Sequence, residues 1–147
     1  MSQIKKTVDN VKKELENVTE KTGLCYYASN NILFDLQNEN IETFMFNTKD
    51  VAQSPIDHYF LLAKENDTYL IDTTYSQFLN NGTLRKFDAF PADVLSKTDI
   101  GQKLLNRLLE DGYSKIDDDL LYAYLSSFNP TLLPFFTLDD LIETKTR

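Results

Sequence analysis

Two apolar and aromatic runs, Asp57 to Lys64 and Tyr69 to Thr73, flank the polar stretch Glu65-Asn66-Asp67-Thr68. Strand-like runs joined by so short a polar loop predict a β-hairpin. The hairpin carries the chain's only histidine, His58, at the start of its first strand, and a carboxylate, Asp72, near the end of its second. Loop length decides whether the two share a face. If Lys64 faces Tyr69, they project from opposite faces of the sheet. A three-residue loop, Glu65 to Asp67, pairs Lys64 with Thr68 and makes them diagonal neighbours on one face. A joint role for His58 and Asp72 therefore predicts a loop of three or five residues.

Helical periodicity brackets this hairpin. Ile4, Val8, Val11, Leu15 and Val18 place one apolar stripe on a helix from about Ser2 to Lys21, which packs on the domain core or forms a short coiled-coil seam. Gly23 ends that helix. A second, largely buried helix is predicted from about Cys25 to Leu36, with Tyr27, Ile32, Leu33 and Leu36 turned inward. Gln37 to Asn40 is a polar loop and Ile41 to Asn47 a short strand. Beyond the hairpin, Asn80-Asn81-Gly82 reads as a turn and Thr83 to Phe87 as a last strand. Ile100, Leu104, Leu105, Leu108 and Leu109 form a helix face that Gly112 ends. Another helix follows with Leu121, Tyr124, Leu125 and Phe128, and Thr137 with Asp140 opens a terminal one.

A chain of 147 residues is expected to form one domain with a real core. The net charge of −8 argues against nucleic acid, whose affinity comes from clustered Lys and Arg, and against an anionic membrane surface. A single cysteine rules out an internal disulfide, and a single histidine leaves no cluster for zinc. Asp117-Asp118-Asp119 lacks the Gly and distal Glu of a calcium loop and reads as a helix cap. No cofactor and no metal are expected. Neither a signal peptide nor a membrane span stands out, so the expected location is a cytoplasm, or a target cell reached without a cleaved signal.

Cys25 is placed in the first turn of its helix, where free N–H groups and the helix dipole favour the thiolate. A lone helical cysteine is ordinarily a small core residue, and a lone histidine beside Asp57 suits a local ion pair. Asp72 resists so plain an account, because it interrupts a strand-like run where a carboxylate is costly unless paired. Together the three supply what a cysteine hydrolase needs: a sulfur to ionise, an imidazole to accept and return a proton, and a group to orient the ring. The Cys25 N–H offers one oxyanion donor. Asn17, Thr19, Thr22 and Gln77 are candidates for the second.

At Gly23-Leu24-Cys25, Asp57-His58-Tyr59-Phe60-Leu61-Leu62 and Leu70-Ile71-Asp72-Thr73-Thr74-Tyr75-Ser76-Gln77-Phe78 the chain resembles the papain-like and transglutaminase-like cysteine hydrolases. It is most similar to the compact papain-like domains of bacterial toxins and effectors. The resemblance spans about residues 20–80. It implies a nucleophile at Cys25, a general base and acid at His58 and an orienting carboxylate at Asp72. It also implies a protein or peptide substrate that is deamidated, cleaved or used in acyl transfer. The chain departs from the papain pattern in having no Gln shortly before Cys25 and no Trp.

The expected fold is α+β and papain-like: a helix led by Cys25 packed on a small antiparallel sheet, with residues 91–147 as a helical cap. The expected activity is cysteine-dependent amide hydrolysis, glutamine deamidation first and proteolysis second. The competing possibilities are an acidic binding module, such as an antitoxin or adaptor, and a thioester-dependent acyltransferase. Oligomeric state leaves no mark in the sequence.

Overall fold

The computed structural model describes residues 2–16, 24–80, 90–133 and 137–146. They form an α+β fold around an antiparallel sheet of four strands in the order β1-β2-β3-β4: β1 (Glu42–Asn47), β2 (Tyr59–Glu65), β3 (Asp67–Ile71) and β4 (Tyr113–Lys115). Helices α1 (Gln3–Leu15) and α2 (Cys25–Asn38) precede the sheet, and the four-residue α3 (Thr48–Val51) follows β1. After β3 come a 3-10 turn (Tyr75–Phe78), α4 (Pro91–Leu95), α5 (Asp99–Glu110), α6 (Asp118–Phe128) and α7 (Leu138–Thr146).

Both faces of the sheet are covered, which is why β2 is apolar without alternation. Leu61, Ala63 and Ile71 join Ile4, Val8, Val11 and Leu15 of α1 and Ala28, Ile32 and Leu36 of α2 in one core cluster. Phe60, Leu62 and Leu70 point the other way, into a second cluster built from α4, α5, α6 and α7. The α1 stripe is thus a core face. Ser2 caps α1 at Lys5 N, and Glu65, from the far end of β2, accepts from the N–H groups of Gln3 and Ile4 at 3.0 and 3.3 Å. The helix stops sooner than the stripe predicts, at Leu15 rather than about Lys21, because the Glu16 N–H turns back to the Lys13 carbonyl at 3.3 Å. Val18, Gly23, the Asn81-Gly82 turn and the Thr83 to Phe87 strand lie outside the described residues.

Three expectations need adjustment. Residues 91–147 do not form a purely helical cap. They supply β4, which pairs with β3, and four helices that cover a whole face of the sheet. A strand as short as Tyr113-Ser114-Lys115 carries no alternation to reveal it. Nor is α2 largely buried, because Tyr26, Tyr27 and Phe34 are exposed; Cys25, Ala28, Ser29, Ile32 and Leu36 turn inward, with Leu33 half-buried against the same core. Ile100 and Leu109 likewise stay exposed at the margin of the α5 face.

The hairpin register is the one that joins His58 to Asp72. Lys64 pairs with Thr68 and Leu61 with Ile71, and Asn66 turns the chain at φ 67°. Other local readings hold as well. Asp117 caps α6 by accepting from Leu120 N at 2.9 Å, and Thr137 and Asp140 form a reciprocal capping box before α7.

Gly112 ends α5 in the left-handed region, at φ 81°, and its carbonyl accepts the Asp72 N–H at 2.9 Å. A Cβ there would meet Thr73 Cγ2 at 3.1 Å and Val8 Cγ1 at 3.2 Å. Gly112→Ala is expected to destabilise the protein by about 1–2 kcal/mol through the positive φ alone. An unchanged urea midpoint would contradict this. Among the described residues, no helix is long and apolar enough to cross a membrane.

Candidate active site

His58 lies one residue before β2 and Asp72 one residue after β3, so both sit at the same end of the sheet. The backbone of His58 is held at both ends by one residue. Thr48 Oγ1 accepts the His58 N–H at 3.1 Å, and the Thr48 N–H donates to the His58 carbonyl at 2.9 Å. The ring is fully buried. Phe128 stacks on it with centroids 5.4 Å apart, and Phe78 meets it edge-on at 4.7 Å. Ser54, whose hydroxyl donates to the Phe128 carbonyl at 2.8 Å, ties the end of α6 to the loop that leads into His58.

His58 Nε2 lies 2.8 Å from Asp72 Oδ2. A carboxylate only accepts, so this nitrogen carries the proton. Asp72 is 2% exposed, and such a buried charge needs further donors. It finds them in the Thr74 N–H, 3.2 Å from Oδ1, and the Tyr124 hydroxyl, 2.6 Å from Oδ2.

Cys25 reaches the site from the opposite layer. It is the first residue of α2 and is 8% exposed. The first intrahelical bond there is Ala28 N–H to the Leu24 carbonyl, at 2.9 Å, and Leu24 brings no capping side chain. The N–H groups of the first turn are therefore free of intrahelical partners, as an oxyanion site requires. Tyr26 packs its ring edge-on against Tyr59 at 5.0 Å, and Ser29 donates to the Tyr59 carbonyl at 3.5 Å. These contacts fix the start of α2 against the start of β2.

The electrostatics of the three groups are coupled. Burial alone pushes the Cys25 thiol up. The neighbouring His58, with the backbone of Tyr59, outweighs it and holds the thiol below its ordinary range. Burial likewise disfavours a charged His58, but Asp72, through charge and hydrogen bond, and the Cys25 sulfur raise the imidazole to about 9. With Nε2 committed to Asp72, Nδ1 is the nitrogen left for the thiol. Among the described residues it is the buried side-chain polar atom without a hydrogen-bond partner. Thiol and ring are near enough to perturb each other's ionisation.

All three sequence-predicted residues thus meet at one end of the sheet. Of the candidate second oxyanion donors, Gln77 gives its amide to the Thr74 carbonyl at 3.0 Å and hydroxyl at 3.3 Å. Asn17, Thr19 and Thr22 lie outside the described residues. Periodicity marks Tyr124 and Phe128 only as an apolar helix face and gives Thr48 and Phe78 no role. The one available signal was a Tyr in an otherwise apolar stripe, since a buried hydroxyl has to find a partner. No protein-family model, no curated protein and no solved structure matches the chain.

Proposed function

We propose that this protein is a cysteine-dependent amide hydrolase of papain-like type in which Cys25, His58 and Asp72 act as a triad. The observation that carries this is the buried His58, fixed by Asp72 through Nε2, with Nδ1 left without a partner among the described residues and Cys25 close enough to shift its ionisation. A histidine kept only for packing has no need of a buried carboxylate behind it and an activated sulfur in front.

The Cys25 thiolate attacks the substrate carbonyl, and the oxygen takes the displaced electron pair as an oxyanion facing the first-turn N–H groups. As the carbonyl reforms, the C–N bond breaks and His58 gives its Nδ1 proton to the departing amine or ammonia. Water then loses a proton to His58 and adds to the thioester. The C–S bond breaks, and the acid leaves with the thiolate–imidazolium pair restored. Asp72 holds the ring in orientation through both steps.

The substrate we favour is the side-chain carboxamide of a protein glutamine, with peptide cleavage the runner-up. The 8% exposure of Cys25 suits the slender end of an extended side chain. Incubation of the full chain with candidate proteins is expected to release ammonia without fragments, and Cys25→Ala is expected to abolish it. Fragments without ammonia would reverse the choice of substrate. A thiol as slow to alkylate as a free cysteine, unchanged in His58→Gln, would instead leave a non-catalytic binding module.

A further inference from the structure

The Asp72 carboxylate is shared unevenly. Among the described residues its Oδ2 accepts from two donors, His58 Nε2 at 2.8 Å and Tyr124 Oη at 2.6 Å, while Oδ1 accepts the Thr74 N–H alone, at 3.2 Å. Tyr124 comes from α6, 52 residues further along the chain, and is fully buried. Its ring meets Phe60 at 5.1 Å and Phe128 at 5.2 Å, both edge-on, so its hydroxyl is held in place. Its carbonyl accepts the Ser127 hydroxyl at 2.6 Å, and Ser127 in turn accepts from Tyr75 Oη at 3.1 Å. Among the described residues, the titratable groups around the His58–Asp72 pair are Cys25 from α2, Tyr75 from the 3-10 turn and Tyr124 from α6.

Two donors on one oxygen compete, because each withdraws charge that the other would use. An imidazolium held too tightly by its carboxylate is a poor acid, and amide hydrolysis requires His58 to release its proton to the leaving group. We propose that Tyr124 is a positioning residue of the triad: its hydroxyl shares Asp72 Oδ2 with His58 and loosens the hold of the carboxylate on the imidazolium, so that the ring can act as an acid. This deepens the hydrolase assignment and rests on it. Burial, together with the charge and hydrogen bond of Asp72, keeps the Tyr124 phenol far above its ordinary range, so it remains a donor.

The single histidine makes the test clean, because the imidazole C–H resonances in an NMR pH titration can belong only to His58. In the full chain, Tyr124→Phe is expected to raise the His58 titration by about half a pH unit or more, since Asp72 then serves one competitor fewer. Site-specific 3-fluorotyrosine at 124, a stronger donor with nearly the same shape, is expected to lower it. A filling role alone would lower thermal stability in Tyr124→Phe and leave the titration where it was. An unmoved or lowered titration in Tyr124→Phe overturns the proposal. If that variant does not fold, the fluorotyrosine protein decides by itself, and a titration that does not fall overturns it. Alkylation of the wild-type thiol separates the two claims. A Cys25 that reacts as an ordinary thiol overturns both, whereas an activated Cys25 with no opposed shifts at His58 overturns only the role of Tyr124.

Discussion

His58→Gln is expected to lower turnover by roughly 10⁴- to 10⁶-fold, the scale on which removing one member of a triad that acts as a unit is felt. The thiol should report the same loss without any substrate. In the wild type, burial pushes Cys25 up but His58 and the Tyr59 backbone hold it below its ordinary range, so alkylation should persist at pH values where a free thiol has nearly stopped reacting. In His58→Gln the contributions of His58 are gone while burial and the Tyr59 backbone remain, so the rate should climb about tenfold per pH unit until it reaches the ordinary thiol range. Glutamine keeps a polar partner for Asp72 and most of the volume between Phe78 and Phe128, so folding should survive. Hydrolysis in the wild type should also fail on the alkaline side near pH 9, where His58 loses the proton it must donate. Superimposable alkylation profiles for the two proteins would sink the triad.

The second large effect is on stability. Asp72→Ala is expected to cost about 3–5 kcal/mol, because it removes one partner of a buried charged pair and strands His58 Nε2, the Tyr124 hydroxyl and the Thr74 N–H together. The pH dependence carries a further signature. His58 is raised from 6.5 to about 9 in the folded protein, so its contribution is complete below about 6.5 and is lost as pH rises through 9. Cys25 is lowered, so its contribution is present above its unfolded value and is lost as pH falls through the folded one. A thiolate with an imidazolium holds as many protons as a thiol with an imidazole. Where both shifts operate, the two slopes therefore cancel in the wild type.

Cys25→Ser removes that cancellation. Urea titrations of this variant should show stability falling by up to about 3 kcal/mol between pH 6.5 and 9. Asp72→Ala in the same background should flatten the fall. A flat curve for Cys25→Ser alone would mean that the folded protein does not hold His58 charged.

The α1 stripe as far as Leu15, the Gly112 stop, the Asp117 cap and the Thr137–Asp140 box are all settled within a few residues of chain, and each appears where local spacing put it. The hairpin shows how far such reasoning reaches. Side-chain parity tied the pairing of Lys64 with Thr68 to a shared face for His58 and Asp72, and that pairing is present. Periodicity failed where a segment was too short or an amphipathic margin too wide. Tyr113-Ser114-Lys115 is a strand only because β3 offers it an edge, and Tyr26, Tyr27 and Phe34 extend an apolar helix onto a surface that no described element covers.

By itself the sequence determined the α+β class, the candidate trio and the parity that joins two of its members, because strand alternation and helical turns act over a few residues at a time. Only the tertiary structure decided that Cys25, on a helix packed against one face of the sheet, reaches His58, whose ring packs with the core of the other face. It alone decided that Phe78 and Phe128 clamp the imidazole and that Tyr124 shares the oxygen that orients it. Those contacts join segments far apart in the chain, and they exist because the sheet is buried on both faces and its end is where the two layers meet.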